Sequence, residues 1–279
     1  MSRSRISVVI NTCDEAHLLG DCIASVRSLA DEIVVCDMHS RDGSADLARR
    51  LGCKVILHPR RAAPEPEARC AAIAAASGDW ILALDPDMRL QPATCEKLRA
   101  IADSGAADMV DFYCRNRFFG RSSTHGHGSQ PVFRKFFRKS AFQPRPGSIH
   151  SFLHGSLSGR AIRLGRRDAI EHLAYETTWQ LTETLVRYAR REAQDAWQQE
   201  IRPSVWRMTW LPLKRFLANY FVRWGWLDGI PGLSWNASIA AYAFLIEVYL
   251  WDLWRLHGNA LAQAPAEAES AARHREATS

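Results

Sequence analysis

The run Trp80-Ile81-Leu82-Ala83-Leu84-Asp85-Pro86-Asp87 constrains the fold more than any other stretch, because five apolar residues end abruptly in two carboxylates one residue apart. A strand without polar alternation suits burial on both faces of a parallel sheet, and such strands present their chemistry at the carboxyl end. If the chain stays extended through the tip, Asp85 and Asp87 point to the same side and converge on one divalent cation, with Pro86 stiffening the backbone between them. Hard carboxylate oxygens suit Mg2+ or Mn2+. The plainer reading is a turn that ends the strand, since Asp and Pro are ordinary turn residues.

The stretches before it follow one pattern. Arg5 to Thr12 is rich in β-branched residues and ends in a polar corner, Asn11-Thr12-Cys13-Asp14-Glu15, after which Leu18, Leu19, Cys22, Ile23 and Val26 recur at helical spacing. Asp31 to Met38 forms a second strand closing on Asp37, Lys54 to Pro59 a third, and an Ala-rich helix runs up to Ser77. Strands alternating with short helices predict a parallel α/β sheet with right-handed crossovers. No Gly-x-Gly-x-x-Gly follows the first strand, which weakens a nicotinamide-binding reading; the strand ends carry carboxylates instead.

A chain of 279 residues, 47% hydrophobic, can bury one sizeable core and carry an appendage. Its seven cysteines are odd in number, scattered through the first half and never in Cys-x-x-Cys spacing, as expected of reduced thiols in a cytosolic protein. The apolar stretch Ile6 to Ile10 is too short for a signal peptide, so a cytoplasmic location is expected.

Taken in order, Ile6 to Glu15 (ISVVINTCDE), Glu32 to Ser44 (EIVVCDMHSRDGS), Ala68-Arg69-Cys70 and Gly78 to Leu90 (GDWILALDPDMRL) resemble the successive motifs of family 2 glycosyltransferases of the GT-A fold. The resemblance implies an α/β, Rossmann-like GT-A domain that binds a nucleotide-diphospho-sugar donor through Thr12, Asp14, Glu15, Asp37, Arg69 and Asp85. It also implies a divalent metal, Mn2+ or Mg2+, at Asp87 and Asp85, with Asp87 the main ligand. Asp14, Cys70 and Met88 stand where relatives often carry Asn, Asn and Glu. Plainer roles exist: Asp37 and Asp42 flank a helix start and suit caps, and Arg69 on its alanine-rich helix suits a surface salt bridge.

From Arg115 to Arg167 there are twelve Arg or Lys residues and not one Asp or Glu, with His125, His127, His150 and His154 added. Such a block is a field for anions: a diphosphate, an anionic acceptor or a bilayer face. Its aromatics come in pairs suited to short strands and no nucleic-acid motif is present, so no nucleic-acid partner is expected. The same one-sidedness leaves the catalytic base open, because inversion at a sugar carbon normally needs a group to accept the acceptor's proton. The acidic positions of relatives fall on Gln130 and Ser151, beside Arg134 and His150. His150 and Arg134 are the catalytic candidates, with Asp111 or Glu171 as alternative bases and a phosphate acceptor as the case needing none. Ile170 to Thr177 (IEHLAYET) resembles a segment of the lipopolysaccharide-core branch of the family, in which His172 either closes the donor site or is a satisfied core histidine.

After Thr178 the pattern changes to long helices rich in tryptophan, with Trp206, Trp210, Trp224, Trp226, Trp235, Trp251 and Trp254 among Arg207, Lys214, Arg215, Arg223 and Arg255. Rings with basic neighbours suit a headgroup region. The apolar piece Ala237 to Trp251 is broken by Glu247 and is shorter than the ~20 residues a span needs, so these helices are read as lying on the membrane surface or packing as a subdomain. Phe216 to Gly232 extends the likeness to the lipopolysaccharide-core enzymes. The expected division is a GT-A domain over residues 1–175, an amphipathic helical subdomain over 176–256 and a disordered tail over 257–279. The expected function is inverting transfer of a sugar, UDP-linked, to a cell-surface glycan or lipid-linked acceptor such as lipopolysaccharide core, at the cytoplasmic face of the inner membrane. A non-catalytic nucleotide-sugar-binding protein and a nucleotidyltransferase are the alternatives.

Overall fold

The computed structural model describes residues 3–61, 65–122, 125, 131–144 and 156–276. Strands and helices alternate in the order β1 (Ile6–Thr12), α1 (Ala16–Val26), β2 (Glu32–Asp37), α2 (Ser44–Arg50), β3 (Lys54–Leu57), α3 (Glu65–Ala75), β4 (Trp80–Leu84), β5 (Met88–Arg89) and α4 (Pro92–Ser104). There follow β6 (Met109–Phe118), β7 (Arg121–Ser122), β8 (Pro131–Arg138), β9 (Ala161–Arg163) and β10 (Ile170–Tyr175), and then the helices α5 (Thr178–Gln198), α6 (Val205–Leu217) and α7 (Gly229–Glu276). The chain divides into two compact units, Met1–Arg117 with Gly128–Ala174, and Phe118–His127 with Tyr175–Ser279.

In the first unit the sheet order is β3-β2-β1-β4-β8-β6-β10-β5. Strands β1 to β4 are parallel to one another, and β8 runs antiparallel to both β4 and β6. The register sets Thr12 beside Asp37 and Ile10 beside Leu84, so the polar corners that follow β1, β2 and β4 share one edge.

Successive strand residues face opposite sides, and both sides are covered. Val8, Ile10, Val35, Leu82 and Phe136 pack with Leu19, Ile23 and Val26 of α1 and Leu98 of α4. Val9, Val34, Ile81, Ala83 and Phe137 pack on the other face with Ala68, Ala72 and Ile73 of α3. This explains the unalternating apolar runs: each position faces one core or the other, and every fully buried Ile, Leu or Phe contributes about 1.5–3 kcal/mol. Five of the seven cysteines, Cys22, Cys36, Cys53, Cys95 and Cys114, are buried.

In the second unit α5 begins at a reciprocal cap, where the Gln180 N–H donates to Thr177 Oγ1 at 3.1 Å and Thr177 N–H donates to Gln180 Oε1 at 3.2 Å. Helices α5 and α6 both pack on α7. Glu247 of α7 is buried and accepts Arg207 Nε at 2.7 Å and the Ser204 N–H at 3.0 Å, which ties α7 to the start of α6. The segment Gly225–His257 is long and apolar enough to cross a membrane by length and composition, with mean hydropathy 1.2 and 22% of its apolar window buried. The run counted from sequence covered only Ala237 to Trp251, broken by Glu247, whereas the apolar segment begins well before Ala237. The backbone of α7 is helical to Glu276. The Ala and Glu that dominate this end lack apolar periodicity but are strong helix formers.

Candidate active site

At the tip of β4 the chain does not stay extended. The Met88 N–H donates to the Asp85 carbonyl at 3.0 Å, closing a turn with Pro86 in its second position. The turn sends the two carboxylates to different protein partners. Asp85 Oδ1 accepts Arg69 Nη2, and its Oδ2 accepts Lys135 Nζ at 2.9 Å. Arg69 is 0% exposed and also donates to the Leu84 carbonyl at 2.8 Å, so it is a buried cation fixing the end of β4 rather than a surface salt bridge. Burial alone would raise the Asp85 carboxyl, but Lys135 and Arg69 together hold it well below the usual carboxylate range. Lys135, from β8, is a site residue that sequence reasoning missed; its only signal was its place in the basic block.

Asp87 meets a different strand. The two-residue strand β5 pairs antiparallel with β10, placing Met88 opposite His172, and the Leu173 N–H donates to the Asp87 carbonyl at 2.8 Å. His172 Nε2 lies 3.0 Å from Asp87 Oδ2, and its Nδ1 lies 2.7 Å from Asn116 Oδ1. Asn116 Oδ1 can only accept, so Nδ1 carries a proton and Nε2 is the ring atom aimed at Asp87. Burial works against a charged imidazole here, but the Asp87 carboxylate outweighs it and pushes His172 up to about 10.

The other oxygen of Asp87, Oδ1, is buried with no partner. An orphaned carboxylate oxygen beside an oriented imidazole fits a divalent cation. Among the described residues no group of three or more His, Cys, Asp or Glu is placed to hold a metal. A small hard cation such as Mg2+ nevertheless binds through one or two protein groups and completes its shell with water and substrate phosphate. Both oxygens of Asp85 already meet cations, so Asp87 with His172 is the set with capacity to hold the ion.

Along the same edge lies a row of buried polar atoms without partners: both amide atoms of Asn11, Thr12 Oγ1 and Asp37 Oδ1. The second oxygen of Asp37 accepts the Ser40 N–H at 3.1 Å. Native interiors pair nearly all such atoms, and the register puts these at the ends of adjacent strands, so they form a cradle for a polar ligand. Asn11 was not among the residues singled out, although a polar residue closing a β-branched strand was its signal. Glu15 follows on the same corner, half-buried, and burial together with the negative charge of Asp87 pushes it up to about 7. Asp14 is turned outward by a left-handed backbone, φ 60°, and braces the loop instead. It accepts the Arg41 N–H at 2.5 Å and the Arg61 guanidinium, and its own N–H donates to Ser40 Oγ at 3.0 Å. The bond from Arg41 leads in lowering its carboxyl below the ordinary value.

The catalytic candidates fare differently. Arg134 forms a bidentate pair with Asp111, its cross-strand partner, at 2.8 and 3.2 Å, so both belong to the β6–β8 ladder, and Asp111 is a poor base with its oxygens so occupied. Glu171 lies 3.8 Å from Arg117. Gln130, His150 and Ser151 lie outside the described residues. Four of the twelve cations of the basic block, Arg117, Arg134, Lys135 and Arg138, meet Glu171, Asp111, Asp85 and Asp108, carboxylates supplied from outside the block.

Comparison with known proteins covers both cradle and fold. An uncharacterized glycosyltransferase of Rickettsia felis is 24% identical over 98% of this chain and 99% of its own length. A TPR repeat-containing protein of Synechococcus elongatus is 41% identical over 37% of this chain, a match spanning only 26% of that protein. Among solved structures, S. aureus TarS 1-349 in complex with UDP is similar in fold, with a TM-score of 0.50 and 15% identity over 90% of this chain and 91% of that one. The model of Glycosyl transferase family 2 matches residues 7–173, a span that begins within β1 and ends just past His172 and so takes in the cradle, the buried arginine and the Asp87–His172 pair alike; the chain belongs to that family and is a glycosyltransferase with a GT-A domain.

Proposed function

We propose that this glycosyltransferase moves a sugar, with inversion, from a UDP-linked donor to a lipid-linked or surface glycan such as lipopolysaccharide core, working at the cytoplasmic face of the inner membrane. The observation that carries the donor half is the row of unpartnered buried polar atoms at Asn11, Thr12, Asp37 and Asp87, which asks for a polar ligand along the whole strand edge. Asn11, Thr12 and Asp37 would take the base and ribose, with Glu15 beside them. Arg69 and Lys135 hold Asp85 ionised and rigid at the floor of the diphosphate site. A divalent cation held by Asp87 and His172 would supply positive charge against the departing diphosphate. The acceptor half rests on the likeness of residues 170–177 and 216–232 to the lipopolysaccharide-core branch.

The test is release of nucleoside diphosphate across a panel of nucleotide sugars, with Mn2+, Mg2+ or chelator, for wild type and Asp87→Asn. UDP is the first product to look for, given the ligand of the TarS crystal structure. Metal-dependent release from one donor, absent in the variant, supports the reading. Release that is indifferent to chelator and to Asp87→Asn overturns it. Anomeric NMR of the transferred sugar decides inversion, and transfer to purified core oligosaccharide against lipid-linked acceptor decides the acceptor class.

A further inference from the structure

Nearly all the large apolar side chains left in solvent belong to the second unit. Helix α6 buries none of its residues, although it is built of Val, Trp, Met, Leu and Phe. Trp206, Trp210, Leu213 and Leu217 are all exposed, Trp206 at 67%, and their alternating four- and three-residue spacing places them on one stripe of the helix. The side of α6 that turns inward is fixed independently, because Arg207 is clamped to the buried Glu247 of α7. The Trp stripe therefore faces out.

The stripe continues through the corner between α6 and α7. Trp224 sits there at φ 60°, a left-handed conformation that is unfavourable for a bulky aromatic. Close packing over-determines the corner: a Cβ on Gly225 would come within 2.7 Å of the Asn219 carbonyl oxygen, and one on Gly232 would collide with the Gly225 carbonyl. The strained corner holds Trp224 58% exposed, next to exposed Phe221, Val222 and Ile230. Strain spent on keeping an indole in water points to an external apolar partner.

The charges select which partner. Residues 201–230 carry Arg202, Arg207, Lys214, Arg215 and Arg223 against one carboxylate, Asp228, whose side chain is 8% exposed and lies 3.1 Å from His125 Nδ1. Lys214 and Arg223 are exposed beside the stripe. An apolar stripe of Trp and Leu flanked by cations matches a layer that is apolar beneath and anionic at its surface. We propose that α6 and the corner from Phe221 to Ile230 are a monotopic docking face that lies in the headgroup layer of an anionic bilayer, with Trp206, Trp210 and Trp224 at the acyl boundary and Lys214 and Arg223 on lipid phosphates. Spanning by α7 is disfavoured because Glu247, in the middle of its apolar stretch, is committed to Arg207 and the Ser204 N–H of the neighbouring helix. This sharpens the membrane half of the reading above and is independent of the transfer chemistry.

The test is cosedimentation of the full chain with phosphatidylcholine vesicles and with mixed phosphatidylcholine and phosphatidylglycerol vesicles, at low and high salt. The expected result is binding to the mixed vesicles that weakens with salt. Trp206→Ser combined with Trp210→Ser should lower the partition coefficient roughly tenfold or more. Lys214→Gln combined with Arg223→Gln should lower it by about tenfold on mixed vesicles only. Circular dichroism and nucleoside diphosphate release report folding of each variant, so a protein without transferase activity still tests the docking face. No binding by wild type, or equal binding by the folded Trp variant, overturns the proposal. So does a wild-type dimer that the Trp variant converts to monomer without loss of vesicle binding, which makes the face a contact between copies. Resistance of the bound protein to alkaline carbonate would overturn the monotopic form and show that α7 spans.

Discussion

Asp85→Asn should unfold the first unit far more readily than a change at the edge of a sheet normally does. Asn keeps the volume but removes the carboxylate shared by Arg69, which is 0% exposed, and Lys135, whose side chain is 9% exposed. Breaking a buried ion pair from one side costs about 3–5 kcal/mol, because a desolvated charge is left uncompensated. The Asp85 side chain itself is 32% exposed, so water relieves part of this, and the discounted loss is about 2–4 kcal/mol. For a unit of this size that corresponds to a drop of roughly 5–15 °C in midpoint. The assay is urea unfolding in chelator, followed by hydrogen exchange of β1 and β4 amides so that the unit holding the triad is the one observed. The sign with pH follows from a folded carboxyl held below its ordinary value of 3.8: the stabilisation is present above that pH and is lost as pH falls below it. The gap between wild type and variant should therefore be constant from pH 5 to neutrality, about and above the unfolded value, and should close in stronger acid. Adding Arg69→Met to the variant should be less than additive, since the pair that couples the two positions is already broken. A loss below about 1 kcal/mol, or strict additivity of the two changes, would refute the argument that Asp85 is an anchor for buried cations.

Other outcomes are equally specific. Glu15→Gln should be nearly neutral at about pH 4 and stabilising by about 2 kcal/mol at pH 8.5 in chelator, because a carboxyl raised to about 7 gives up stability as pH climbs from its unfolded value through 7. A stability difference that does not grow with pH would contradict that desolvation. Thr12→Val removes a hydroxyl that no protein group pairs, so stability should hold or rise while UDP binding by calorimetry weakens about 5–30-fold. Asp87→Asn should abolish metal-dependent donor hydrolysis with the fold intact, and near-normal turnover would sink the metal assignment. In metal-free wild type, the His172 ring followed by NMR should titrate at about 10, its contribution to stability being complete below the ordinary 6.5 and fading as pH passes 10. In Asp87→Asn that titration should fall by several units, and an unchanged value would remove Asp87 as its cause.

The parallel half of the sheet was legible because its strands announce themselves twice, as apolar runs covered on both faces and as polar corners where those runs stop. Residues 5–90 needed no long-range information for this. The pairings inside the basic block were hidden for the complementary reason. Its charges were counted along the chain, whereas Arg134 finds Asp111 and Lys135 finds Asp85 across strands that pair only in the folded sheet. The same blindness left a surface salt bridge open for Arg69 beside its donor-site reading, since the acceptors it meets come from another element. The turn at Asp85 was readable from Pro86 but lost to the alternation argument, which holds only while the chain remains extended.

The pairing of β5 with β10 has a consequence for how the enzyme comes into being. Asp87 is made early, its imidazole partner arrives only with the last strand of the first unit, and they are joined through a ladder only two residues long on the β5 side. During synthesis the nucleoside cradle can close around local strands well before the ion-holding pair exists, because pairing so distant in sequence carries the larger closure entropy and forms late. If the cradle and the Asp87–His172 pair hold nucleotide and ion as proposed, an unfinished chain would grip a nucleotide without being able to act on the sugar attached to it until β10 pairs with β5.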